Sequence, residues 1–183
     1  EDPVKTEGGL SSGNAGESSN FLCYRALRLN YYAVTGLLAR VCLYAGQREN
    51  AFNYSTEVIK ASNNGIFPFV DRSLVNGTAQ DPDRIFSPEV LFALSDSQRG
   101  ELFEEYFDPS LAPNMVFRME TDLLEQTIYG GTGTGGNLDD YRCRSNWISS
   151  GSARYFYKYS DMTESGRIEN TMIPLLRLGE MYL

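Results

Sequence analysis

The chain has 183 residues, 42% of them hydrophobic and 13% aromatic, which is typical of a globular protein with one well-buried core. Its formal net charge of −8 disfavours binding to the phosphate backbone of nucleic acids and to anionic lipid headgroups, so we expect no nucleic-acid partner. The sequence contains no histidine, the commonest general base and metal ligand, which argues against an enzyme without excluding one. We therefore expect no catalytic residues, no metal site and no cofactor.

The three cysteines, Cys23, Cys42 and Cys143, predict neither a disulfide framework nor a zinc site. If Cys23 and Cys42 lie on one helix, they are too far apart to bridge, so at most one disulfide, involving Cys143, is possible. We expect free, buried thiols. No run of about 18 apolar residues is present, so the sequence predicts no membrane-spanning helix.

The first predicted element is a flexible segment over residues 1–20, which is rich in glycine and serine. A helix is predicted from about Asn20 to Tyr44, capped by Ser18, Ser19 or Asn20, because apolar residues recur there at spacings of three and four. The expected buried stripe of this helix comprises Leu27, Tyr31, Val34, Leu38, Val41 and Ala45.

A second helix is predicted over residues 47–62, after a break at Gly46 and before a terminator at residues 63–65. Its buried face would carry Ala51, Tyr54 or Ser55, Val58 and Ile59. Small side chains at Ala39 and Ala51 would let the two helices pack closely as a hairpin similar to a tetratricopeptide unit. One such hairpin cannot bury its own apolar face, so we expect partner helices elsewhere in the protein.

Farther along the chain, Pro88 to Leu94 predicts a short buried strand, and Glu120 to Tyr129 predicts a short helix. Residues 95–118 are mixed and aromatic and predict no definite element. Residues 153–159 alternate Tyr155, Tyr157 and Tyr159 against Phe156 and Lys158, which is the periodicity of a strand.

The last residues, Met172 to Leu183, predict the start of an amphipathic helix that stops about two turns in without a terminator. We therefore expect the chain to be part of a longer protein.

Several stretches together carry a family resemblance in their order and spacing. Arg28 to Gly46 looks like a helix motif N-x-x-A followed by L-L-A-R-V-Y-L-Y-x-G, although Cys42 stands where an aromatic residue is common. The others are Glu57-Val58-Ile59 in the second helix, Glu89 to Leu94, Asp140-Tyr141-Arg142, Lys158-Tyr159 and the closing stretch Pro174 to Leu183. Over about residues 25–183 they resemble motifs of the SusD/RagB family of outer-membrane glycan-binding lipoproteins.

This resemblance implies a mainly α fold, an α-α superhelix of tetratricopeptide-like hairpins with long irregular loops and a few short strands. Residues 21–183 would be part of a single SusD-like domain, truncated at its C-terminal end. The implied function is capture of an oligosaccharide or polysaccharide for a SusC-like TonB-dependent transporter. The protein would lie exposed on the cell surface at the outer membrane, held by a lipid anchor that is absent from this chain.

The glycan-binding candidates are Trp147, Tyr129, Asn146 and Arg144. Sugar rings stack their C–H faces on aromatic planes while polar side chains at the rim take the hydroxyl groups, and these residues supply both kinds of contact. The alternative is a tryptophan packed on the scaffold beside a charged loop. For Tyr155, Tyr157 and Tyr159 the alternatives are a core or a sugar-binding strip, and Asp140, Arg142 and Lys158 are expected in structural ion pairs.

Other patterns in the sequence have simpler interpretations. The run Gly131 to Gly136 satisfies G-x-G-x-x-G but lacks the preceding strand and following helix of a dinucleotide site. The acidic cluster Glu101, Glu104, Glu105 and Asp108 predicts a solvated face rather than a glycosidase carboxylate pair. Two other function classes stay open, a helical-repeat scaffold for protein–protein interaction without a sugar site and a carboxylate-based glycoside hydrolase.

Overall fold

The computed structural model describes residues 27–75, 82–130, 140–160 and 167–183. These residues combine helices with two small β-sheets. The predicted mainly α superhelix of tetratricopeptide-like hairpins is therefore wrong, and the protein has a mixed α/β structure. The predicted flexible segment over residues 1–20 and the glycine run over residues 131–136 lie outside the described residues.

The described residues divide into two compact units. The first comprises residues 27–70, 86–95 and 173–183, and the second comprises residues 71–75, 82–85, 96–130, 140–160 and 167–172. The first unit is built on a helical hairpin of α1 (Tyr31–Tyr44) and α2 (Arg48–Asn63). Gly46 adopts a φ of +74° in the turn between them, a conformation that favours glycine. The predicted hairpin is confirmed, as is the burial of Ala39 and Ala51.

Helix α1 begins later than predicted. Its N-cap is Asn30, whose side chain accepts a hydrogen bond from the Ala33 N–H at 2.9 Å, and residues 27–30 precede the helix. The continuous helix predicted from about Asn20 to Tyr44 is therefore wrong, because residues 27–30 are not helical and Asn30 caps α1. The predicted caps Ser18, Ser19 and Asn20 lie outside the described residues.

The buried face of α1 also differs from the prediction. Its buried residues are Tyr32, Ala33, Thr35, Gly36, Ala39 and Cys42, whereas most of the predicted stripe is exposed, Val41 to 61%. Apolar residues occur around most of this helix, so spacing alone does not choose between two faces. The face with small residues is the buried one, because Ala33, Gly36 and Ala39 let neighbouring elements approach closely.

The first unit is completed by β1 (Val90–Ser95), which follows a 3₁₀ turn at Ser87–Glu89, and by α6 (Leu178–Met181), which follows β5 (Met172–Arg177). Strands β1 and β5 form a two-stranded sheet. The core of the unit comprises Tyr32, Ala39, Val58, Ala61, Phe67, Leu91, Leu176, Leu178 and Met181.

The strand predicted from Pro88 to Leu94 is confirmed as β1, whereas the helix start predicted from Met172 is wrong. Pro174 explains the difference. A residue before proline is pushed towards extended backbone, so the segment enters a strand and turns helical only at Leu178.

The described residues of the second unit form three short α-helices, a π-helical segment, a 3₁₀ helix (Ile168–Thr171) and a three-stranded sheet. The helices are α3 (Arg72–Val75), α4 (Arg99–Tyr106) and α5 (Tyr141–Ser145). The strands are β2 (Arg118–Glu120), β3 (Trp147–Ser150) and β4 (Ala153–Phe156), and they pair antiparallel in the order β2-β4-β3. Strands β3 and β4 are joined by the two residues Gly151 and Ser152, with a φ of +62° at Gly151.

Two predictions in this unit hold in part. The strand predicted over residues 153–159 ends at Phe156, so Tyr157 and Tyr159 do not share a strand face with Tyr155. The helix predicted over residues 120–129 is a π-helical segment, Leu123–Ile128, that follows β2. In the part of the chain that the structure describes, no helix is long and apolar enough to cross a membrane.

The cysteines agree with the prediction where they are described. Cys42 and Cys143 are both free and buried, and Cys23 lies outside the described residues. Burial raises the pKa of the Cys143 thiol, so this group stays protonated at neutral pH.

Candidate functional site

Three aromatic side chains form a row across the sheet of the second unit. Trp147 on β3 is the register partner of Phe156 on β4. Phe117 immediately precedes β2, and its carbonyl accepts a hydrogen bond from the Phe156 N–H at 3.5 Å. Because directly opposed residues project from the same face of a sheet, the three rings meet, and we call Phe117, Phe156 and Trp147 the aromatic row.

The rings of the aromatic row are in mutual contact but are not coplanar. The centroids of Phe156 and Trp147 are 5.2 Å apart, those of Phe117 and Phe156 are 5.8 Å apart, and those of Phe117 and Trp147 are 6.0 Å apart. Phe117 and Trp147 are inclined by 39°, whereas Phe156 stands at 90° to Phe117. Phe156 thus packs edge-on against Phe117, and the Phe117 side chain stays 50% exposed.

Two further aromatic residues pack against the row and hold it in place. Phe107, just after α4, has its ring centroid 5.6 Å from Phe156 and 6.2 Å from Phe117. Tyr159 lies 6.0 Å from Phe156 on the same measure. An aromatic surface that is already packed loses little side-chain freedom when a ligand stacks on it.

Two predicted site residues, Trp147 and Tyr129, are brought together by the structure. The Trp147 Nε1–H donates a hydrogen bond to the Tyr129 hydroxyl at 3.1 Å, and both side chains are partly buried. The Arg142 guanidinium lies 5.8 Å from the centroid of the Tyr129 ring. A tryptophan with its polar atom satisfied keeps only its ring surface for further contacts.

The predicted ion pair between Asp140 and Arg142 is confirmed. Arg142 Nη2 lies 2.6 Å from Asp140 Oδ2, and Arg142 Nε donates to Asp140 Oδ1 at 3.0 Å. Asp140 also caps α5 by accepting the Arg142 backbone N–H at 2.9 Å. The hydrogen bonds from Arg142 hold the pKa of the Asp140 carboxyl below its usual value.

The other two candidates, Asn146 and Arg144, have environments that differ from those of Trp147 and Tyr129. Asn146 is only 6% exposed, its side-chain oxygen accepts from the Ser145 hydroxyl at 3.3 Å, and its carbonyl accepts from the Tyr157 N–H at 2.8 Å. Its position is that of a buried structural residue rather than of a polar rim. Arg144 is partly buried on α5, and its backbone N–H donates to the Asp140 carbonyl at 3.4 Å.

The three alternating tyrosines separate into different environments. Tyr155 is buried in a small core with Val116 and Ala153, which fits the core alternative. Tyr157 packs edge-on against Phe103 and lies under the Arg84 guanidinium, 4.8 Å from its ring centroid. Tyr159 supports the aromatic row. The Lys158 ammonium lies 5.4 Å from the centroid of the Tyr159 ring and forms a cation–π contact with it.

Carboxylates in the second unit occupy structural or solvated positions. Glu101, Glu104 and Glu105 are exposed on α4, as the prediction of a solvated face requires. Buried Glu125 pairs with Arg154, and buried Asp83 accepts the Ile85 N–H at 3.0 Å. Within the described residues, no group of three or more His, Cys, Asp or Glu side chains is placed to hold a metal ion.

Four charged residues from the motifs of the first unit form two ion pairs there. Arg40 binds Glu180 through two bonds of 2.6 Å each, and its Nη2 also donates to the Leu175 carbonyl at 3.0 Å. Arg177 Nη2 lies 3.3 Å from Glu89 Oε2, and the other oxygen of Glu89 accepts the Val70 N–H at 3.1 Å. Charged residues from three separate motifs thus join the hairpin, β1 and the closing segment.

An apolar groove of about 430 Å³ also lies in the first unit, between α1, α2 and α6. Its apolar lining comprises Ala39, Leu43, Ala51, Phe52, Ile59, Met181, Tyr182 and Leu183. Phe52 is 69% exposed there. Large apolar residues exposed next to one another mark an interaction surface, so the groove is a second candidate site.

Sequence reasoning missed Phe117, Phe156 and Phe107, because it assigned no element to residues 95–118 and did not recognise β3. One signal was present. Gly151-Ser152 between two short runs is a two-residue hairpin pattern, and this hairpin places Phe156 opposite Trp147. The contribution of Phe117 depends on the pairing of β2 with β4, which no local pattern specifies.

Comparisons of this chain with known proteins found no matching family model, no matching curated protein and no matching solved structure. The resemblance to the SusD/RagB family therefore depends on the motifs themselves and on how their residues meet.

Proposed function

We propose that this protein is a non-catalytic glycan-binding protein that holds an oligosaccharide against the aromatic row. The observation that carries the proposal is the aromatic row of Phe117, Phe156 and Trp147, which crosses the sheet from β2 through β4 to β3. Phe117 in this row is half exposed. Trp147 and Phe156 are partly exposed beside Phe117, and aromatic rings that are packed by neighbours yet reachable from solvent suit the C–H faces of sugar rings.

The motif resemblance supports a more specific role. Arg40 pairs with Glu180 and Arg177 pairs with Glu89, so residues from three of the motifs that resemble the SusD/RagB family contact one another in one unit. In this proposal the protein presents the glycan to a SusC-like TonB-dependent transporter, exposed on the outer-membrane surface and lipid-anchored. The aromatic row supplies the capture step and no bond of the sugar is broken.

Isothermal titration calorimetry with maltoheptaose, cellohexaose, laminarihexaose and xylohexaose tests the capture step. We expect saturable binding to at least one of them, weakened about fivefold or more in Phe117→Ala, because a contact with one aromatic ring contributes on the order of 1 kcal/mol. Phe52→Ala on α2 is the matched control, since it removes an exposed phenylalanine outside the row. Equal affinity of both variants and the parent would contradict the proposal.

A second candidate function is a scaffold for protein–protein interaction, and the exposed face of α1 together with the apolar groove favours it. Here the same two positions exchange roles, with a charged residue placed at position 52. Phe52→Asp is expected to abolish co-purification with the co-expressed transporter, whereas Phe117→Ala leaves it intact. Loss of oligosaccharide binding alone in Phe117→Ala, with transporter binding unchanged, would support both functions on separate surfaces.

A further inference from the structure

Trp147 has its single polar atom committed to one partner. An indole Nε1–H is a donor only, and in Trp147 it donates to the hydroxyl of Tyr129 at 3.1 Å. The packing of Trp147 against Phe117 and Phe156 limits where the ring can lie, and the hydrogen bond limits its rotation about that position. The orientation of the exposed ring surface thus depends on Tyr129.

Tyr129 is itself held in place through its backbone and through its ring. Its backbone N–H donates to the carbonyl of Leu124 at 3.0 Å at the end of the π-helical segment, and Leu124 is fully buried. Its ring lies under the Arg142 guanidinium at 5.8 Å. Arg142 is in turn fixed by its two contacts with Asp140, which caps α5. A continuous set of contacts therefore runs from the start of α5 to the indole of Trp147.

The hydroxyl of Tyr129 stays protonated at neutral pH, because burial raises its pKa. A neutral phenol can accept the indole N–H while keeping its own proton. Titration of Tyr129 therefore does not disturb its bond to Trp147 near neutral pH.

We propose that Tyr129 is a positioning residue, which fixes the Trp147 ring in the orientation on which the saccharide stacks. This inference depends on the function proposed above and assigns Tyr129 a role other than the direct ligand contact expected from the sequence. Its physical basis is pre-organisation. A tryptophan already held in one orientation loses less conformational entropy on binding than one that the ligand itself must immobilise.

The test is the Tyr129→Phe variant, which removes only the hydroxyl and keeps the ring under Arg142. We expect its affinity for the best oligosaccharide of the panel to fall about tenfold by calorimetry, as the loss of one buried hydrogen bond and the resulting ring mobility predict. A spectroscopic readout accompanies it. The indole N–H band of Trp147 in ultraviolet resonance Raman spectra should shift to that of an unbonded indole in Tyr129→Phe.

The matched control is Tyr106→Phe, which removes the hydroxyl of an exposed tyrosine on α4 that contacts Glu105 instead. This control should leave both the affinity and the indole band unchanged. Arg142→Gln, which removes the cation over the ring, is expected to lower the affinity less than Tyr129→Phe does.

The outcomes separate the inference from the function on which it depends. If the parent binds and Tyr129→Phe binds within twofold of it, the positioning role is overturned while glycan capture stands. If the parent binds no oligosaccharide of the panel, both fail together. An unshifted indole band in Tyr129→Phe overturns the positioning role whatever the affinities are.

Discussion

Arg40 and Glu180 lie 140 positions apart in the sequence and meet in a two-pronged ion pair. The hydrogen bonds to the Glu180 carboxylate raise the pKa of the Arg40 guanidinium further above its usual value, so Arg40 keeps its charge. Both side chains are about one-third exposed, and solvent therefore screens part of the attraction. We expect the pair mainly to position the closing segment, Pro174 to Leu183, against α1. Its contribution to the free energy of unfolding is small.

A double-mutant cycle measures this pair. We expect Arg40→Ala and Glu180→Ala together to reveal a coupling free energy of about 0.5–1 kcal/mol in urea unfolding, as is usual for partly exposed pairs with good geometry. Arg40→Ala should cost more than Glu180→Ala, because Arg40 also donates to the Leu175 carbonyl. Strictly additive single substitutions would show that the two side chains do not interact in solution.

Asp140 gives the candidate site a defined response to acid. The pKa of Asp140 is lower in the folded protein than its unfolded value of about 3.9. Its pair with Arg142 therefore contributes stability that is fully present above the unfolded pKa and is lost as the pH falls through the lower folded pKa.

We predict that acidification below about pH 4 changes the near-ultraviolet circular dichroism of Trp147, because protonated Asp140 releases Arg142 from its place over Tyr129. Asp140→Asn should show the altered signal already at pH 7 and lose this acid step. A step of the same size in Asp140→Asn would assign the change to other carboxylates.

At the scale of elements, α1 shows why its buried face was mispredicted. Gly36 lies where the helix meets the β1–β5 sheet and α6. A Cβ built at Gly36 would come within 2.9 Å of Leu176 Cδ2 and 3.3 Å of Met181 Sδ. Small residues thus mark the tightly packed face, whereas the count of large apolar residues pointed to the other one.

Replacing Gly36 tests this packing. We expect Gly36→Val to lower the free energy of unfolding by about 1–3 kcal/mol, since a larger side chain must displace Leu176 in a closed core. The control is Gly179→Val in α6, where an added Cβ meets nothing within 4 Å and the change should stay within about 0.5 kcal/mol. Equal effects at both positions in urea denaturation would contradict the assigned buried face.

For the molecule as a whole, local patterns predicted the local elements. The α1–α2 hairpin, the strand after Pro88 and the Asp140–Arg142 pair follow from spacing, turn residues and capping within a few positions of one another. These are short-range features, and short-range rules are sufficient for them.

Pairings between distant segments were not predictable in the same way. Strand β5 pairs with β1, which lies far away in the sequence, and the aromatic row depends on the pairing of β2 with β4. A single sequence does not specify which strands will pair, so neither the sheets nor the complete site could be predicted. Trp147 and Tyr129 were found because they are a rare tryptophan and a tyrosine near one loop, but their mutual hydrogen bond was not expected.

The most direct test of glycan capture is the intrinsic fluorescence of Trp147, the single tryptophan of this sequence, titrated with the oligosaccharide panel. We predict a saturable change in emission for at least one oligosaccharide, reduced in Phe117→Ala and retained in Phe52→Ala. Saturable binding by calorimetry with an unchanged Trp147 emission would place the ligand away from the aromatic row and contradict the assigned site.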